Sequence, residues 1–106
     1  MAMVQTTTDF IPGEKITAIL GVVRGNTIRS RGVGGHFIAG LQGVFGGEVS
    51  AYVTALNEAR DEAIQRMVAE AEKLGADAII NVRFVTSEVM PHAAEILAYG
   101  TAVKLG

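Results

Sequence analysis

The chain has 106 residues, of which 49% are apolar and 6% aromatic. A formal charge of −2 provides no basic surface for nucleic acid, and the lack of Cys excludes disulfides, thiolate metal ligands and thiol nucleophiles. A chain of this length builds one hydrophobic core, so residues 1–106 are expected to form a single domain. No apolar run reaches the roughly 18 residues that span a bilayer, and residues 1–13 lack a signal-peptide pattern. We therefore expect a cytoplasmic protein without membrane or nucleic-acid partners.

The first part of the chain predicts two strands. Residues 4–8 are short and rich in Thr, and the turn signal at residues 12–13 follows them, which indicates an edge strand. Residues 15–24 alternate as in a strand that is apolar on both faces, and residues 25–26 are expected to end it. Its two faces would be Ile16, Ala18, Leu20 and Val22 on one side, and Thr17, Ile19, Gly21 and Val23 on the other.

A glycine-rich segment follows, with seven of the thirteen glycines between residues 32 and 47. Apolar residues recur inside it at helical spacing, which predicts a short helix over residues 35–45. Together with Arg24, Arg29 and Arg31, the segment suggests a phosphate cradle of exposed backbone N–H groups. It lacks the G-x-x-x-x-G-K pattern, so a loop that is mobile or contacts another subunit is the alternative.

Residues 48–74 predict one long amphipathic helix, and Gly75 stands where a left-handed cap residue belongs. At about 1.5 Å per residue the helix would be about 40 Å long. Its apolar stripe consists of Val49, Tyr52, Val53, Leu56, Ala59, Ala63, Ile64, Met67, Val68, Ala71 and Leu74.

Arg60 lies near the centre of this stripe, one turn after Leu56. A buried guanidinium requires a partner, because an unpaired buried charge is very costly. The candidate partners are Glu48, Asp77, Glu95 or a carboxylate of a neighbouring subunit. A second interpretation is that Arg60 holds an anionic ligand between subunits.

The last third of the chain predicts two strands, at residues 77–86 and 95–105, joined by a turn at residues 87–94 that contains Pro91. The first would place Ala78, Ile80, Val82 and Phe84 on one face and Ile79, Asn81, Arg83 and Val85 on the other. The order strand, helix, strand, strand predicts an α+β domain with a helical layer on a three-stranded sheet. Since one helix covers one face of a sheet, the second apolar face predicts subunit association.

Nearly the whole chain resembles the YbjQ-like family of small bacterial and archaeal proteins. The residues that carry the resemblance are Thr7-Thr8, Pro12-Gly13, residues 20–25, residues 37–45, Gly46-Gly47-Glu48, Tyr52, Leu56, Ala59-Arg60, Ala63, residues 74–78 and residues 99–103. The resemblance implies a dodecin-like β-α-β-β subunit with an antiparallel sheet of order 1-3-2. It also implies a ring-shaped homo-oligomer, typically a pentamer, in which short extra strands bridge neighbours. We assign the strand at residues 4–8 to such a subunit contact.

The family is uncharacterised and often carries a heavy-metal-binding label, but the donor set for a metal is poor. His36 and His92 are the two histidines, and neither has a second ligand at the spacing of a zinc site. Only symmetry in a ring could bring copies of one His together, so no cofactor is expected.

Catalysis finds little support either. No serine lies in a nucleophile elbow, and Glu62 forms an ordinary i, i+4 pair with Arg66. We therefore expect a binding or scaffolding protein rather than an enzyme. Its candidate ligand or interface residues are Arg60, Tyr52, Glu48 and Arg24.

Overall fold

The computed structural model describes residues 3–30, 47–90 and 93–106, which form one helix and a four-stranded sheet. The elements in chain order are β1 (Val4–Gln5), β2 (Ile16–Ser30), α1 (Gly47–Lys73), β3 (Ala78–Met90) and β4 (Ala93–Leu105). The α+β class is as predicted. The short helix predicted at residues 35–45 lies outside the described residues.

The sheet is mixed and has the order β1-β3-β4-β2, so the prediction of a three-stranded antiparallel sheet was wrong. The fourth strand is β1, which pairs in parallel with residues 78–79 of β3 in the same chain. The three long strands lie in the order β2-β4-β3, which corresponds to the predicted order 1-3-2. The segment assigned to a subunit contact therefore pairs within its own chain.

All three long strands run further than predicted. β2 continues through residues 25–26 to Ser30, β3 continues to Met90, and β4 begins at Ala93. Most of the residues taken as a turn at 87–94 are therefore paired strand. Gly25-Asn26 was a misleading stop signal, because Gly25 faces the helix rather than a turn.

Two irregularities in pairing change which side chains share a face. In β3 the register shifts between Ile80 and Arg83 around Asn81, whose φ of 53° is left-handed. Asn tolerates this conformation better than most residues. As a result Ile79 and Val82 enter the same core, whereas strict alternation had placed them on opposite faces.

In β2 the register shifts between Ile19 and Gly21, whose φ is 134°. Leu20 and Val23 thus pack toward α1, while Ile19 and Val22 are exposed. The predicted faces of β4 needed no such correction, because Ile96, Ala98 and Ala102 all lie in the core.

Helix α1 lies mainly over β2, to a lesser extent over β4, and makes little contact with β3. Its buried line has the i, i+4 spacing of one helix face, namely Ala59, Ala63, Met67 and Ala71. The helix ends in a Schellman motif, in which the N–H of Gly75 donates to the carbonyl of Glu72 and the N–H of Ala76 to that of Ala71. The predicted left-handed cap at Gly75 is confirmed by its φ of 74°.

The opposite side of the sheet has no helix on it in the described part of the chain. At one end Ile11 packs there on Ala78, Ile80 and Val103. We call the rest the open face. It consists of Ile19, Val22, Arg24, Asn26, Ile28, Arg83, Val85, Ser87, Glu95, Leu97, Tyr99 and Thr101.

Candidate functional site

Arg60 is exposed and pairs locally, which corrects the prediction that it lies in a buried stripe. Its Nη1 donates to Oδ1 of Asn57, one turn earlier, at 3.1 Å. The physical reason is that the buried line runs through Ala59 and Ala63, and Arg60 lies about 100° around the helix from Ala59 and about 60° from Ala63. The apolar stripe predicted from the sequence was wider than the line of residues that the sheet covers. Arg60 lies beside that line.

Two of the carboxylates proposed as partners for Arg60 are engaged elsewhere. Asp77 accepts hydrogen bonds from the backbone N–H of Leu105 at 2.9 Å and from Nζ of Lys104 at 3.2 Å. The bond from Leu105 and then that from Lys104 hold the pKa of Asp77 below its ordinary value of 3.8. Glu95 accepts a hydrogen bond from Nδ2 of Asn26 at 3.0 Å.

The other predicted site residues cannot be joined to Arg60. Glu48 and Tyr52 lie on the first two turns of α1, and their side chains are outside the described part of the structure. His36 and His92 lie outside it altogether. The roles predicted for these four residues therefore stay predictions.

Arg24 lies on the open face, where the strand register places it beside two residues that sequence reasoning did not select. Arg24 of β2 is opposite Tyr99 of β4, and Tyr99 is opposite Arg83 of β3. The three side chains form one row across the sheet, with the phenol between the two guanidinium groups. Arg24 and Arg83 are exposed, and Tyr99 is half-buried.

Arg83 also holds the N-terminal segment against β3. Its Nη1 donates to the carbonyl of Thr7 and to that of Val82, both at 2.9 Å. Backbone bonds continue this contact, from Val82 N–H to the Thr6 carbonyl and from Asn81 N–H to the Thr8 carbonyl. One guanidinium nitrogen of Arg83 is thus structural.

Apolar side chains surround this row. Ile19 and Val22 on β2 are 71% and 75% exposed, and Val85 on β3 is 41% exposed. Several exposed β-branched residues on one face of a sheet are typical of an interaction surface rather than of a solvated face. The open face therefore combines an apolar surface with two cations.

A metal does not fit the described residues. No group of three or more His, Asp or Glu side chains comes together among residues 3–30, 47–90 and 93–106. The sequence offers no Cys in addition, so a soft metal lacks its preferred ligands in this part of the chain. Within the same residues, no helix has the length and apolar character needed to cross a bilayer.

Comparison with known proteins agrees with this architecture. A crystal structure of a protein of unknown function from Pediococcus pentosaceus, assigned to the DUF74 family, superimposes with a TM-score of 0.66 and covers 98% of each chain. At 21% identity, the likeness supports the fold alone. The fold and the open face thus define a class of small α+β domains with one long helix on one side of a sheet.

Closer relatives establish the family. A "UPF0145 protein" of Methanosarcina acetivorans is 56% identical over 97% of both chains, and one of Archaeoglobus fulgidus is 55% identical over 94% of this chain and 93% of its own. The sequence model of the YbjQ family, described as "Putative heavy-metal-binding", matches residues 3–106. The chain belongs to this family, as the resemblance implied.

Proposed function

We propose that this chain is a non-catalytic binding protein that works as a homo-oligomer, with a ring-shaped pentamer as the expected assembly. The observation that carries the proposal is the open face. Fully burying one Val or Ile side chain contributes about 1.5–3 kcal/mol. Ile19 and Val22 leave most of that contribution unrealised in the single chain, and Val85 leaves part of it.

The unpaired strand edges support the same proposal. No strand lies beyond β2 in the described sheet, so one side of its fifteen residues has no backbone partner strand. The segment that contains β1 covers the edge of β3 up to Val82, and no strand of the described sheet pairs with that edge from Arg83 to Met90. Free N–H and C=O rows of this length are templates for pairing with another chain. Subunit contacts through the open face and these edges would cover both.

The shape of the chain points the same way. The long dimension of 53 Å is close to the roughly 50 Å that fifteen extended residues span. The last eight residues of β3, from Arg83 to Met90, are all exposed, including Phe84 on the helix side. Other subunits could cover these exposed residues of β3.

A purely structural ring is the second candidate. Arg60 would then only tie subunits together, and the open face would hold no ligand. The charges of Arg24 and Arg83 favour a binding protein, because the described strands place no carboxylate beside them and a bound anion would compensate both charges. The absence of any enzymatic name among the relatives described above agrees with a non-catalytic role.

The proposal is tested by a charge on the open face. We expect Val22→Glu to lower the mass measured by sedimentation equilibrium, because assembly would bury the new carboxylate. Val53→Glu is the matched control, since Val53 is 47% exposed on α1, away from the open face. The interface is wrongly placed if Val53→Glu dissociates the oligomer and Val22→Glu does not.

A further inference from the structure

The row formed by Arg24, Tyr99 and Arg83 has the composition of a small anion site. Adjacent strands are about 4.8 Å apart, so the two arginines start roughly 10 Å from each other with the phenol between them. The Arg24 side chain is long enough for its guanidinium group to reach a ligand above Tyr99. Arg83, whose Nη1 is held by the Thr7 carbonyl on the β1 side of β3, would meet the same ligand from the other side. Because guanidinium binds phosphate or carboxylate through paired N–H donors, two such groups select for an anion.

The described strands place no counter-charge beside this row. The next row on one side holds Val22 and Thr101, and the next on the other holds Asn26, Leu97 and Val85. Glu95 is the nearest carboxylate that these strands place on the open face. It lies two rows from Tyr99 and is bonded to Asn26.

The guanidinium groups have free donors. In the described part of the chain, Arg24 makes no hydrogen bond or ion pair with another side chain or carbonyl. Arg83 donates to carbonyls through Nη1, which leaves Nε and Nη2 for a ligand.

We propose that this row binds a small aromatic phosphate ester, with Arg24 and Arg83 on the phosphate and the Tyr99 ring against the aromatic part. The inference rests on the proposed function, because subunit contacts on the open face would remove the row from water. Two desolvated cations without a counter-charge are very costly, and a bound dianion compensates both. The apolar neighbours Val22, Leu97 and Val85 suit an aromatic ring better than a bare inorganic anion.

The probe is phenyl phosphate, titrated by calorimetry into the full-length protein, with inorganic phosphate and phenol as its two halves. We expect phenyl phosphate to bind more tightly than either half. Arg24→Gln should weaken its binding about tenfold or more, which is typical of losing a charge-assisted hydrogen-bond pair. Arg24→Lys keeps the positive charge but lacks the paired N–H donors of a guanidinium group, so it should recover only part of the affinity.

Tyr99→Leu tests the aromatic contact. It should reduce the preference for phenyl phosphate over inorganic phosphate, while leaving inorganic phosphate binding nearly unchanged. Lys73→Gln is the control, because it removes one cation from the exposed last turn of α1 and should leave every affinity unchanged.

Native mass spectrometry of the same samples separates the two proposals. A monomeric wild type overturns the proposed function and this inference with it. An oligomer that does not bind phenyl phosphate, or that binds it equally well after Arg24→Gln, overturns the inference alone. A third outcome also overturns the inference. In it, Arg24→Gln dissociates the oligomer, and phenyl phosphate changes neither the mass of the wild-type oligomer nor its stability. Arg24 would then pair with a carboxylate of another subunit.

Discussion

At the scale of single residues, Gly25 sets how closely α1 approaches the sheet. A Cβ atom at this position would collide with the Ala63 carbonyl oxygen and the Met67 nitrogen, and would lie 2.7 Å from Cβ of Arg66. Two of these atoms belong to the helix backbone, so no rotamer change can relieve the contact. The helix as a whole would have to move away from β2.

We therefore expect Gly25→Ala to destabilise the protein by about 1–3 kcal/mol or more, as overpacked cores do. The measurement is urea denaturation followed by far-UV circular dichroism at one fixed protein concentration, because assembly makes stability depend on concentration.

Gly75→Ala is the matched control for the loss of glycine. No atom lies within 4 Å of a Cβ at Gly75, but its φ of 74° is strained for Ala, which costs about 1–2 kcal/mol. The close packing described for α1 is wrong if Gly25→Ala is as stable as wild type while Gly75→Ala is less stable.

Gly25 also shows why single residues were partly misread from the sequence. A Gly-Asn pair is usually a turn signal. Nothing in the local pattern distinguishes a glycine in a turn from one whose missing side chain lets a helix pack closely on the strand. Arg60 was misplaced for a related reason. The helical period locates an apolar stripe, but the line within it that meets the sheet depends on packing, which the period does not contain.

At the scale of elements, carboxylates join parts of the chain that are distant in sequence. Glu62 of α1 pairs with Arg29 of β2 at 3.0 Å and also with Arg66 on its own helix, which confirms the predicted i, i+4 pair. Arg66 donates in turn to the Asn26 carbonyl. Asp77 connects the segment before β3 to the end of β4, through Leu105 and Lys104.

The lowered pKa of Asp77 predicts a specific pH dependence. Its carboxylate is stabilised in the folded state, so its contribution to stability is complete above the ordinary pKa of 3.8 and is lost as the pH falls through the lower, folded-state pKa. We expect Asp77→Asn to be less stable than wild type at pH 6, and the difference to shrink as the pH falls below 3.8.

Urea denaturation between pH 6 and pH 2 measures this difference. Asp61→Asn, at an exposed carboxylate of α1, serves as the control. A gap between wild type and Asp77→Asn that stays constant down to pH 2 contradicts the assigned role of Asp77.

The sequence was a better guide to whole elements than to their ends and faces. The predicted helix at residues 48–74 differs by one residue at each end from the observed Gly47–Lys73, because its period and its cap both lie in the sequence. The faces of β2 and β3 could not be predicted, since alternation fails at the register shifts near Gly21 and Asn81. The strand predicted at residues 4–8 was assigned to a subunit contact because the family resemblance implies bridging strands. Its short sequence carries too little pattern to reveal β3 of the same chain as its partner.

At the scale of the whole molecule, the second apolar face was predicted from the strands, and the open face is its observed counterpart. The row of Arg24, Tyr99 and Arg83 could not be predicted in the same way. Its members are separated by up to 75 positions in the chain and meet only through the register of two strand pairs. Arg24 was selected because it is close in sequence to the glycine-rich segment. In the structure its neighbours across the sheet are Tyr99 and then Arg83.

The composition of the open face would couple the proposed assembly to the proposed ligand binding. The apolar side chains favour association, and the two cations oppose it until an anion is bound. If both proposals hold, ligand and subunits therefore stabilise the same surface. Ligand binding and assembly would then be measured together rather than one at a time.

The central claim is that this chain assembles through its open face into an oligomer that holds a ligand. The most direct measurement is native mass spectrometry of untagged wild-type protein purified without chelator, which reports both stoichiometry and bound mass. We expect a species of five protomers, each of 11.1 kDa, with a reproducible additional mass for the ligand. A monomer with no additional mass would contradict the account, since the open face would then be a solvated surface.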